Sequence, residues 1–332
     1  MMSDFIWLNG EYIKRQDARI NLYESGLLYG YGVFETIMIN KSRAFQLTAH
    51  YDRLKDSAKH IRMPVHISQK SLDKVISRLA QINNLEKGYV RMVVSSSEEP
   101  MKAMRFSSSA EPARPDGRSG GEQKKDLDET GTFQSSMILV ETGPISPDYE
   151  KFRHNGVNVI LYPHRRSADT AYYRHKTLAY MENLITRRWA FKHKALEAIF
   201  TNTDGNIMEG TRSSFFIVKD HKVFTPAIDS NILSGVTRGI AMALCTKNAI
   251  KVREKLLTKE DIFTADEAFL TSTLMEVMPV VGCKFVRKDT AHLGEPRPCG
   301  RDEIDTKSIR DGKVGPVTRV LQTSFRDLLE MA

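Results

Sequence analysis

Tyr173-Arg174-His175-Lys176-Thr177-Leu178 and, further along, Gly205-Asn206-Ile207-Met208-Glu209-Gly210-Thr211 are the two runs on which the reading of the whole chain turns. The first offers a lysine amine, a group that forms a Schiff base with a carbonyl. The second offers a glycine-flanked carboxylate, a group that keeps a heteroaromatic nitrogen protonated. By residue type alone both are ordinary, because lysine and glutamate are mostly exposed. Their meaning depends on what accompanies them.

With 332 residues the chain can bury a substantial core, and two domains are expected rather than one. A hydrophobic content of 41% with 27% charged residues places it among soluble globular proteins. No apolar run approaches the roughly 20 residues that span a bilayer. The start, Met1-Met2-Ser3-Asp4-Phe5-Ile6-Trp7, lacks the basic and long apolar segments of a signal peptide. Cys245, Cys283 and Cys299 form no C-x-x-C pair, so no metal site is expected and a reducing cytoplasm fits. The net charge of +8 raises nucleic acid as a partner. Its basic residues, however, mix with acids, as in Lys251-Val252-Arg253-Glu254-Lys255, and lack interleaved aromatics. A solvated surface suited to anionic small molecules is the better reading.

Along the chain, Phe5-Ile6-Trp7-Leu8 enters an Asn9-Gly10 hairpin turn and returns through Glu11-Tyr12-Ile13. Val33 to Ile39 alternates as a strand, and helices are predicted over 48–60, capped by Thr48, and over 71–83. A strand follows at 89–94. Residues 98–131, rich in Ser, Gly, Pro and charge, read as a disordered insertion into a 1–141 domain. A linker at 142–150, with Pro144 and Pro147, leads into a second domain at 151–332. There a helix is predicted after Lys176 with Leu178 and Met181 on its apolar face, and another begins at Ser234-Gly235-Val236-Thr237.

Lysine and glutamate acquire a purpose if the chain holds pyridoxal phosphate, which needs an imine-forming amine, an acid at the pyridine nitrogen and an anion cup. Val236 and Thr237 stand at a helix N-terminus, where unpaired amides and the helix dipole favour an anion. Ser272 and Thr273, at a strand end, add hydroxyl and amide donors, and Arg53 adds a charge-assisted contact.

These stretches together resemble the class IV, fold-type IV pyridoxal-phosphate enzymes: branched-chain aminotransferases, D-amino-acid aminotransferases and 4-amino-4-deoxychorismate lyases. The likeness runs through Leu28-Tyr29-Gly30-Tyr31-Gly32-Val33-Phe34-Glu35-Thr36, His50-Tyr51-Asp52-Arg53-Leu54, Lys176, Glu209-Gly210, Ile232-Leu233-Ser234-Gly235-Val236-Thr237-Arg238 and Thr271-Ser272-Thr273. It implies an α+β protein with a small N-terminal α/β domain and a larger C-terminal pseudo-barrel α/β domain, working as a homodimer. It further implies that Lys176 forms the imine with the cofactor and shuttles protons, and that Glu209 pairs with the pyridine nitrogen. Arg53, Val236, Thr237, Ser272 and Thr273 would hold the phosphate, and Tyr29, Phe34, Thr36 and Arg91 would line the substrate pocket.

The subfamily is less clear from these residues. Thr36 stands where branched-chain enzymes carry glycine, and Met181 stands where they carry tyrosine. Ser95-Ser96-Ser97-Glu98 replaces the Arg-x-His trap of the D-amino-acid enzymes. Phe34-Glu35-Thr36 and Leu274-Met275 resemble the lyases, which release pyruvate and 4-aminobenzoate, whereas Thr271-Ser272-Thr273 and Ile309-Arg310-Asp311-Gly312-Lys313-Val314 resemble aminotransferases. Transfer of an amino group from an amino acid to a 2-oxo acid is the expected reaction, with the lyase as the alternative.

Overall fold

The computed structural model describes residues 4–96, 137–287 and 303–332, so the predicted insertion at 98–131 lies outside the described residues. Two compact units result. One joins Met1–Gly143 with Lys176–Ala179, and the other joins Pro144–His175 with Tyr180–Ala332. The lysine segment therefore packs with the first unit, although sequence reading runs 151–332 as one domain.

In the first unit, β1 (Phe5–Leu8), β2 (Glu11–Lys14), α1 (Ser25–Tyr29), β3 (Gly32–Asn40), β4 (Arg43–Ala44), α2 (Leu47–His60), α3 (Gln69–Ile82), β5 (Gly88–Ser95) and β6 (Met137–Gly143) follow in order. The strands form one antiparallel sheet, β2-β1-β6-β5-β3-β4. Asn9 and Gly10 both take positive φ, as the tight hairpin requires. The period-2 pleat of β3 sends Val33, Ile37 and Ile39 to one face, where Leu54 and Ala58 of α2 and Leu72, Ile76 and Leu79 of α3 cover them. Phe34 and Thr36 occupy the opposite face. Glu35 shares the covered face, a carboxylate at a core register.

Two helix starts differ from expectation. α2 begins at Leu47 behind a left-handed Gln46, which places Thr48 inside the first turn rather than at the cap. α3 begins at Gln69, two residues before the predicted start, because Ser68 caps it: the Ser68 hydroxyl accepts from the Ser71 N–H at 3.1 Å. The sequence-predicted linker at 142–150 is also partly structured, its ends taken up by β6 and by the helix that follows.

The second unit contains α4 (Asp148–Asn155), β7 (Val157–Arg166), α5 (Met181–Lys192), β8 (Glu197–Asn202), β9 (Ile207–Gly210), β10 (Ser214–Lys219), β11 (Lys222–Thr225), α6 (Val236–Lys247), β12 (Val252–Glu254), α7 (Lys259–Phe263), β13 (Glu267–Ser272), β14 (Glu276–Val286), β15 (Ile304–Ser308) and α8 (Pro316–Met331). The sheet runs β12-β11-β10-β13-β14-β7-β8-β9, with β15 on β14. Phe215, Ile217, Leu270, Met278, Val280, Val159 and Ile199 fill its core. Among the described residues no helix is long and apolar enough to cross a membrane, and no His/Cys/Asp/Glu cluster suits a metal.

α8 shows how a distant residue can start a helix. Its N-cap, Gly315, has no side chain to satisfy the first amides. The buried Glu267 carboxylate does so instead, accepting from the N–H groups of Val317 (3.0 Å) and Thr318 (2.8 Å) and from the Thr318 hydroxyl (2.7 Å). Glu267→Ala is expected to cost about 1–3 kcal/mol, seen as a lower urea midpoint; an unchanged midpoint would mean solvent caps the helix equally well.

Candidate active site

In the first unit the lysine segment is strapped down by its backbone. Thr177 bridges Val33 on the edge of β3. The Phe34 N–H donates to the Lys176 carbonyl (3.0 Å), the Leu178 N–H to the Gly32 carbonyl (2.8 Å), and the Lys176 N–H to the Ser57 hydroxyl (3.1 Å). Gly32 permits this approach, since a Cβ there would meet Leu178 at 2.5 Å. The helix predicted to start just after Lys176 therefore starts only at Met181, and Leu178 packs against glycine instead of lying on a helix face. Lys176 is half-buried, its Nζ 4.3 Å from the centre of the Phe34 ring.

Behind it, Glu35 is only 1% exposed and grips Arg53 with both oxygens, Nε to Oε1 at 2.7 Å and Nη2 to Oε2 at 2.8 Å. His50 Nδ1 lies 2.8 Å from Oε2. Burial alone would raise the Glu35 carboxyl, but the Arg53 charge and the hydrogen bonds from His50 and Arg53 outweigh it and hold it far below the usual range. Burial pushes His50 the other way, lowering its pKa and favouring the neutral ring despite Glu35.

In the second unit, Glu209 stands near the end of β9. Its Oε2 accepts the Leu233 N–H (3.1 Å), and its Oε1 lies 3.7 Å from Arg166 Nη1. Arg166, 2% exposed, is fixed by Glu182 and Asn183 (3.0 Å each) and lies 3.3 Å from the centre of the Phe200 ring and 4.4 Å from that of Tyr173. The turn after Glu209 is pinned by the fully buried Glu197, which accepts from the Thr211 N–H (3.1 Å), the Thr211 hydroxyl and the Ser213 hydroxyl (3.0 Å). Burial raises the Glu197 carboxyl above its usual range. Tyr180 donates to the Thr211 carbonyl at 2.5 Å, its phenol raised by burial and by the Glu197 and Glu209 charges.

Leu233 links Glu209 to the start of α6, two residues before the Gly235 cap. Gly235 lies over Ser214: a Cβ there would meet the Ser214 hydroxyl at 2.8 Å. Ser214 in turn pairs with Thr271 across β10 and β13. Glu209, Val236, Thr237 and the Thr271-Ser272-Thr273 strand end are thus tied to one end of this sheet. The Ser272 hydroxyl accepts from the Met275 N–H at 3.3 Å.

Phe34, Thr36 and Arg91 share one sheet face, Thr36 directly opposite Arg91. Tyr29 lies at the end of α1 and is more than half exposed. Sequence reading assigned no role to Arg166, Ser57, Glu197 or the Leu233 amide. A charged residue inside the alternating Val33–Ile39 run was the available signal for Glu35; nothing local signals the others.

The donor set fits a phosphorylated pyridine aldehyde. α6 begins on Gly235, a cap residue with no side chain to bond its first amides. The Thr271 hydroxyl beside it is buried with no hydrogen-bond partner, a donor for which an added anion or its solvent shell would account.

The family model for amino-transferase class IV matches residues 32–283. The chain is 27% identical over 322 residues to a D-alanine aminotransferase of Bacillus licheniformis, spanning 97% of this chain and 96% of the relative. It is also 27% identical over 330 residues to a branched-chain-amino-acid aminotransferase of Pseudomonas aeruginosa, spanning 98% and 92%. Among solved structures it is similar to a branched-chain amino acid aminotransferase of Escherichia coli, with a TM-score of 0.76 and 26% identity over 98% of this chain and 95% of that one.

Proposed function

The chain belongs to the amino-transferase class IV family and is an enzyme of that class, and we propose that it moves the amino group of a branched-chain or similar amino acid to a 2-oxo acid with pyridoxal 5'-phosphate as cofactor. The observation that carries this reading is the lysine strap, in which the Lys176 carbonyl, the Lys176 N–H and the Leu178 N–H fix the segment while the Lys176 Nζ lies 4.3 Å from the centre of the Phe34 ring. Bound pyridoxal phosphate supplies a carbonyl for the amino group and a protonated ring that draws electrons from the substrate α-carbon. Lys176 holds the cofactor and moves the proton at that carbon. Glu209 holds the proton on the ring nitrogen. Arg53, Val236, Thr237, Ser272 and Thr273 bind the phosphate. Phe34, Thr36 and Tyr29 line the substrate pocket, and exposed Arg91 receives a substrate carboxylate.

A homodimer is part of the reading. Ile20, Leu22, Tyr23, Leu27, Leu28 and Tyr29 form a largely exposed apolar stretch in the first unit, as Met181, Leu184 and Ile185 do on α5. Exposed apolar surface of this kind marks association. We also place the enzyme in the cytoplasm, consistent with free, buried Cys245 and Cys283, whose thiols burial pushes up to about 11 and about 12.

The test is amino transfer from leucine, isoleucine, valine or D-alanine to 2-oxoglutarate, read as glutamate formed by a preparation that sediments as a dimer. Pyruvate release from aminodeoxychorismate without transfer would replace this function by the lyase; a monomer of full activity would remove the dimer from it.

A further inference from the structure

Among the groups to which the reading above gives no task, the most heavily invested is Glu35. Its carboxylate lies at a core-facing register of β3 beneath α2, where an ion without partners is strongly disfavoured. Three donors converge on it, two from Arg53 and one from His50. An ionised carboxylate only accepts hydrogen bonds, so the neutral His50 carries its proton on Nδ1. The cluster then holds one negative and one positive charge, and its net charge is zero.

Stability alone is a poor reason for such a cluster, because well-packed apolar side chains at the same place often serve as well or better. Orientation is a better one. Engaging Nε and Nη2 together fixes the plane of the guanidinium and turns its far edge away from Glu35. Arg53 is also the member that reaches outward, with 12% of its side chain exposed against 1% for Glu35.

We propose that Glu35 is a positioning residue that aims the Arg53 guanidinium at the cofactor phosphate, so that a carboxylate that does not touch the phosphate sets how strongly it is held. This rests on the phosphate role given to Arg53 above. Simple charge counting and positioning predict opposite signs. Neutralising Glu35 leaves the cluster with a net positive charge, which by itself favours a phosphate. If aim matters more, the same change weakens phosphate binding although the local charge has become more favourable.

The experiment compares the affinity of the full-length chain, freed of cofactor, for pyridoxal phosphate and for pyridoxal, which lacks the phosphate. The ratio isolates the phosphate increment, and pyridoxal binding reports on the fold. Glu35→Gln is expected to lower the ratio roughly tenfold to hundredfold with pyridoxal affinity nearly unchanged. Adding Arg53→Gln to Glu35→Gln should lower it little further, since the two residues act as one unit. An unchanged or raised ratio in Glu35→Gln overturns the proposal. Should Glu35→Gln fail to fold, Glu35→Asp keeps the charge but withdraws the carboxylate by one methylene, and it must lower the ratio as well; an unchanged ratio there is equally fatal. If Arg53→Gln alone leaves the ratio unchanged, the phosphate role of Arg53 fails instead.

Discussion

Lys176→Ala is expected to abolish amino transfer, lowering kcat/KM by at least about ten-thousandfold, while leaving the fold in place. The two consequences separate because different atoms are responsible. The segment is held by the Lys176 carbonyl and N–H and by the Leu178 N–H, all of which alanine retains. The side chain loses its approach to the Phe34 ring, a contact worth about 0.5–1 kcal/mol at an incompletely buried site. The chemistry loses its only assigned amine, and water is a poor substitute for a base fixed beside the reacting carbon. Steady-state kinetics measure the rate, and mass spectrometry after borohydride reduction measures the linkage: cofactor mass is retained on wild type and absent from the variant. Cofactor mass retained at another lysine, with activity, would reassign the residue. A small primary amine added to Lys176→Ala should restore part of the rate, which damage to the fold would not allow.

What could be read from the sequence was what local chemistry writes. Asn9-Gly10 specifies a hairpin, and the alternation of Val33 to Ile39 specifies a strand. Thr258 and Asp261 specify a helix start through a reciprocal capping box. The candidate site was legible for the same reason at Val236 and Thr237, where a glycine-led helix start exposes amides. Structure set by residues distant in sequence was not legible. Nothing near Lys176 says that its backbone will join the edge of β3, because the partners are Gly32, Phe34 and Ser57. α8 takes its cap from Glu267 rather than from its own first turn, where Pro316 is the local sign of a start. Arg166 closes the basic run His164-Arg165-Arg166, which by composition suits a surface; it is buried because β7 continues beyond Leu161 and carries it over Phe200. The reaction was ambiguous at Thr36 and Met181, since single pocket residues are shared between subfamilies. The match over residues 32–283 shows the class IV family, within which those two residues do not choose a subfamily.

Glu209→Gln is expected to lower kcat roughly hundred- to thousandfold with little change in KM and no loss of fold. Glutamine has the size of glutamate, and its carbonyl still accepts the Leu233 N–H, so the link to the start of α6 survives. Arg166 does not become an unpaired buried cation, because Glu182 and Asn183 continue to bind it. What disappears is the negative charge that favours a proton on the ring nitrogen. Arg166 sharpens the expectation. A cation 3.7 Å from the Glu209 carboxylate stabilises that carboxylate while disfavouring a second positive charge nearby. Glutamate offsets this repulsion at the ring; glutamine does not, and the ring then stays neutral and draws electrons weakly. The loss must therefore fall on the step that removes the α-proton. Stopped-flow measurement of the half-reaction with the amino donor should show that step slowed by the same factor as kcat, together with a deuterium isotope effect on the α-carbon. A kcat within a few-fold of wild type would show that the ring works unprotonated, and Glu209 would then be left with the structural task of anchoring Leu233.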